Sequence, residues 1–91
     1  MTNTVIVTIT EIGGEPMLDM QAIALLFGVE VTAVEALPII NGHIRIPREW
    51  ARRGKRRARE AMAHNGSDFI LDGIRYWARH DYGADLEVVY Q

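Results

Sequence analysis

Cysteine is absent from this chain, so neither a disulfide framework nor a thiolate zinc site is available to it. Serine occurs once, at Ser67, where it reads better as a helix cap than as a nucleophile, and His43, His64 and His80 are too dispersed for a local metal motif. Gly54-Lys55 lacks the upstream glycine and the following hydroxyl of a phosphate-binding loop. No catalytic centre, cofactor or metal site is therefore expected. No Lys or Arg precedes Arg45, so the positive region of a secretory signal is missing. The longest apolar run, residues 22–29, is far short of the roughly 20 residues that cross a bilayer. The expectation is a cytoplasmic protein without a membrane partner.

What is present fits one folded domain over residues 1–91. Apolar residues make up 48% of the chain and charged residues 24%, the balance of a globular protein and not of a disordered tail. The formal charge of −2 hides a strong asymmetry. Eight of the ten Lys and Arg residues lie in residues 45–59, RIPREWARRGKRRAR, which carry +7 against the single Glu49. The remainder, two bases against eleven acids, carries −9. Clustered positive charge focuses the field and steers a polyanion to one region, which makes nucleic acid the first partner to consider.

Along the chain, residues 4–12 (TVIVTITEI) are rich in β-branched residues and read as a strand ended by Gly13-Gly14 and Pro16, with Met17-Leu18 as a short return strand. Asp19 is placed as the N-cap of a helix over residues 20–27, which Gly28 ends in a left-handed conformation. A second short helix over residues 31–37 is stopped by Pro38. Ala24 supplies the small side chain where the two helices touch, and Ile23, Phe27, Val29, Val34 and Leu37 fall where such a pair packs. Asn41-Gly42 between apolar flanks predicts a tight hairpin that turns Ile44 and Ile46 inward and His43 and Arg45 outward.

Pro47 suits the first turn of the next helix, which carries the basic run and stops at Asn65-Gly66. Gly54 within it has two readings: a helix break, or close approach to a phosphate or a partner helix. Trp50 shares the stripe of Gly54, Ala58, Ala61 and Met62 and is assigned to the core. A last helix, capped by Ser67 or Asp68, runs to about Tyr82, with Ile70, Ile74, Trp77 and Ala78 on one face. Residues 86–90 close the chain as a strand. The fold class is α+β, with terminal strands that pair within one chain or across a homodimer.

A helix-turn-helix, an Asn-Gly hairpin and then Arg-Ile-Pro-Arg-Glu-Trp opening a helix resembles the excisionase and MerR-type winged helix-turn-helix DNA-binding domains, over about residues 19–59. The opening strand followed by GGEPMLDMQAIALLFGV also looks like phage antirepressor domains, which adds a phage or mobile-element character. The first resemblance implies a small transcriptional regulator or recombination factor that binds double-stranded DNA. In its terms Thr32, Ala33 and Glu35 face base edges, His43 and Arg45 are wing contacts, and Arg48 meets a phosphate. The chain departs from that pattern in its second helix, which has no Lys or Arg and carries Glu30 and Glu35. A glutamate repels phosphate and accepts only from a cytosine amino group or through water. The weight then shifts to Arg52, Arg53, Lys55, Arg56, Arg57 and Arg59 as phosphate contacts, which give affinity but not sequence. The alternative is an interaction module whose basic helix docks on an acidic protein partner.

Overall fold

The computed structural model describes residues 3–91. In chain order the elements are β1 (Asn3–Ile12), β2 (Glu15–Leu18), α1 (Met20–Phe27), α2 (Val31–Glu35), β3 (Ile39–Ile40), β4 (His43–Ile44), α3 (Arg48–Asn65), α4 (Ile70–Tyr82) and β5 (Ala84–Tyr90). The class is α+β, with four helices and two sheets among the described residues. Among the described residues no helix is long and apolar enough to cross a membrane.

Gly13 and Gly14, both at positive φ, turn β1 back into β2, so that Ile9 pairs with Leu18 and Ile12 with Glu15. On its other side β1 pairs in parallel with β5, from Asn3 opposite Ala84 to Ile9 opposite Tyr90. The terminal strands thus pair within one chain. A parallel pair needs a long crossover, and here all four helices lie within it. Alternation along the strands sends Val5, Val7, Leu86 and Val88 to the helical side and leaves Ile6, Asp85 and Glu87 exposed. The core joins Val7 of the sheet to Ala22 and Leu25 of α1, Ala61 of α3, and Ile74, Trp77 and Ala78 of α4.

Asp19 does more than cap α1. One carboxylate oxygen accepts from the Ala22 amide at 2.9 Å, and the other from the Thr8 amide of β1 at 2.7 Å, so the start of α1 is tied to the sheet. Gly28 ends α1 at φ 68° with its amide bonded to the Ala24 carbonyl. A Cβ there would also lie 2.6 Å from the Arg57 guanidinium, so the position excludes side chains twice over.

α2 stops at Glu35, two residues short of the expected end. The residue before a proline is disfavoured in the α region, and the turn tightens to a Leu37 amide bond to the Val34 carbonyl ahead of Pro38. The β3–β4 hairpin turns on Asn41 and Gly42, both at positive φ, with Ile44 half-buried and His43 exposed as alternation requires. The α4 start differs from expectation. Ser67 Oγ accepts from the Phe69 amide and donates to the Asp72 carboxylate, while the capping position itself falls to Phe69, which makes no side-chain cap.

Candidate nucleic-acid interface

α3 starts behind Pro47, which falls at the N-cap in an extended conformation (φ −60°, ψ 147°) and not within the first turn as expected, and carries Glu49 at its positive end, where a negative charge is favoured. It continues unbroken through Gly54 to the left-handed Gly66. The glycine is the point of closest approach to α1: a Cβ at Gly54 would sit 2.8 Å from the Phe27 ring. Of the two readings of Gly54, close helix packing holds and the break does not. Trp50, one turn earlier and expected in the core, is instead half-buried outside the core cluster, with its ring centroid 6.1 Å from that of Phe27.

At about 100° per residue, fixing Gly54 and Ala61 against the body settles where the cations point. Arg48, Arg52, Lys55, Arg56 and Arg59 fall in one stripe on the far side, and all five are exposed. From Arg48 to Arg59 the stripe is about 16 Å long. Arg45, also exposed, lines a cleft with Pro38, Ile46, Pro47 and Arg48, which joins the hairpin to the head of the stripe. Arg53 is half-buried at the flank. Ion pairs among the described residues link Arg57 to Asp81, Arg75 to Asp72 and Arg79 to Asp85, and the histidine His80 also contacts Asp81; none involves Arg45, Arg48, Arg52, Arg53, Lys55, Arg56 or Arg59. Like charges four residues apart, such as Arg48 and Arg52 or Lys55 and Arg59, repel by a few tenths of a kcal/mol per pair.

Arg57 is the exception within the basic run: its guanidinium turns inward and is engaged within the chain, away from the phosphate contact expected of it. Its side chain is only 13% exposed. Nε and Nη2 donate to the Leu25 carbonyl at 3.2 and 2.7 Å, and Nη2 also meets Asp81 at 2.8 Å. The guanidinium lies 3.8 Å above the Trp77 ring, and the indole N–H returns a bond to the Arg57 carbonyl. Leu25 O belongs to the last turn of α1, whose carbonyls lack helical partners, so this cation closes the negative end of one helix while bridging to another. Burial pushes the Asp81 carboxyl up, but the hydrogen bonds and charges of Arg57 and His80 outweigh it and hold the pKa below the ordinary carboxylate value.

The other expected contacts are placed less favourably. On α2, Thr32 and Glu35 are exposed and Ala33 is half-buried. Thr32 opens onto a cleft shared with Thr4, Ile6, Gln21, Glu30 and Tyr82, which none of the stripe residues lines. His43 is exposed on the hairpin. Sequence reasoning missed Asp81 and Trp77 as the partners of Arg57, because no local pattern marks a contact between residues 20 or more positions apart. Comparison of the chain with known protein families, with curated proteins and with solved structures finds no match.

Proposed function

We propose that this protein binds double-stranded DNA, gripping phosphates with the α3 stripe, as a small transcriptional regulator or recombination factor. In this reading α1, Gly28 and α2 act as a helix-turn-helix and the β3–β4 hairpin as its wing. The observation that carries it is the stripe itself: Arg48, Arg52, Lys55, Arg56 and Arg59 stand side by side on one helix face, exposed and free of carboxylate partners among the described residues. Such a row destabilises its own helix through like-charge repulsion, and a polyanion relieves that cost. Arg45 extends the row to the hairpin, where an arginine is drawn to a narrow minor groove by its negative potential. The glutamates of α2 make direct base reading weak, so affinity exceeds discrimination.

Six phosphates neutralised by these side chains correspond to a slope of about −5 in log affinity against log salt, or about a thousandfold loss between roughly 50 and 200 mM. Anisotropy titration of a labelled random-sequence duplex at those two salt concentrations measures it. Replacing Arg48, Arg52, Arg56 and Arg59 with Ala should leave the melting curve in place and remove about 3.6 from the slope. Salt-independent binding, or a quadruple variant that binds like wild type, refutes the assignment.

A further inference from the structure

Beside the cation stripe, α3 presents a second face that the fold leaves uncovered. An apolar groove of about 430 Å³ runs between α3 and the head of α4, floored by Gly54, Ala58 and Trp77 and walled by Leu26, Met62 and Phe69. A shallower hollow continues it past Ala51 and Lys55 toward Phe27. Phe69 is 66% exposed, Ile70 48% and Met62 45%, so three large apolar side chains stand open along this groove. From Ala51 to Met62 the groove is about 16 Å long, or about three helical turns. Its α3 floor is made of small residues, which let another helix axis approach to about 8 Å.

We propose that this groove docks an amphipathic helix of a partner protein, apolar on the face that enters it and acidic along the flank that meets α3. The acidic flank follows from the rim. Lys55 and Arg59 border the groove on the α3 side, with no ion pair among the described residues, whereas the exposed Asp68 lines it on the side that leads into α4 and disfavours acid there. A second copy of this chain does not supply the occupant. Its α1 and α4 bury their apolar faces in its own core, its α2 has five residues, and its free α3 face would bring the same cations against Lys55 and Arg59. Because those two cations also belong to the stripe, an occupied groove withholds them from phosphate. Helix docking and DNA binding are then mutually antagonistic, although the groove itself stands without the DNA reading.

The test uses the full chain and two synthetic peptides: a helical one with Leu at i, i+3, i+4 and i+7 and Glu along one flank, and the same peptide with Gln for every Glu. Amide chemical shifts on titration should move at Ala51, Ala58, Met62, Phe69 and Gly73 and saturate. The Gln peptide should bind about tenfold more weakly, the scale of one or two rim charge pairs. Ala58→Phe fills the groove from an exposed position and should weaken the Glu peptide at least about tenfold with DNA binding unchanged. If that variant melts below wild type, Lys55→Glu with Arg59→Glu takes its place and should reverse the preference between the peptides. Shifts elsewhere, no saturation, equal binding of the two peptides or indifference to both variants overturns the proposal. Peptide binding without DNA binding removes the earlier reading alone, and DNA binding without peptide binding removes this one alone.

Discussion

Truncating Arg57 to Ala separates the two roles hidden in the basic run. The guanidinium donates twice to Leu25 O, pairs with Asp81 at 2.8 Å and stacks on Trp77 at 3.8 Å. A hydrogen bond from a charged donor contributes about 1.5–3 kcal/mol, and its loss here also strands a carbonyl at the end of α1. The cation stacking adds about 1 kcal/mol, and the ion pair adds a modest amount because Asp81 remains 28% exposed. These contributions share one side chain and do not simply add, so the expected loss is about 3–4 kcal/mol. Against a total stability of about 5–15 kcal/mol that is severe, and at about 4–8 °C per kcal/mol it lowers the melting temperature by roughly 15 °C or more.

Arg56, one position earlier, faces solvent, and its replacement by Ala should stay within about 0.5 kcal/mol of wild type. Urea unfolding followed by circular dichroism compares the two. Arg57→Lys should restore little, since an ammonium cannot reproduce the planar fork over Trp77 and toward two acceptors. Equal unfolding midpoints for Arg56→Ala and Arg57→Ala would refute the claim that the interior guanidinium holds α1, α3 and α4 together.

Gly54→Ala should destabilise, by about 1 kcal/mol, because the Phe27 ring must give way to the new methyl; helix propensity alone predicts a gain of similar size, so the sign of the change in a urea titration decides between them. The folded-state pKa of Asp81 is depressed, so its contribution to stability is fully present above the unfolded value of about 3.9 and is lost as pH falls through the lower folded one. Unfolding midpoints measured from neutral pH to about pH 2 should therefore fall less steeply for Asp81→Asn than for wild type, and parallel curves would remove this pair from the acid response.

The features that were legible in the sequence are those written in neighbouring residues. Asp19 before an apolar helix, Gly28 after it and Asn41-Gly42 between isoleucines each produce the local geometry expected of them, and Pro47 marks the start of α3 from one position before its first turn. Where a local signal competes with another, the reading slips. Pro38 draws back the end of α2, and Ser67 reaches forward to Asp72 instead of capping α4. What was open in the sequence is nonlocal. The parallel pairing of β1 with β5 joins residues about 80 positions apart, and period-2 alternation is the same whether the partner strand lies in the same chain or another. The basic run shows the same limit within one helix. Its charges read as one patch, yet the 100° step between Arg56 and Arg57 puts one in solvent and the other over Trp77.

That division bears on how the proposed DNA complex would be oriented. α2 carries the exposed Glu35, follows the exposed Glu30 at its N-cap and has no base, so it has no electrostatic hold of its own on a duplex. α3 has that hold, and α3 is fastened to α1 at two points: the close contact of Gly54 with Phe27 and the bonds of Arg57 to Leu25 O. α1 in turn packs on α2 across Gly28, whose left-handed turn leaves no room for a side chain beside Arg57. In that proposed complex, phosphate contacts along α3 would set the position of α2 through the packing of α3 on α1 and of α1 on α2. The half-buried Arg57 is one of the two ties between α3 and α1, so in the proposed complex its loss should blunt any discrimination between duplexes before it removes the exposed cations' affinity for phosphate.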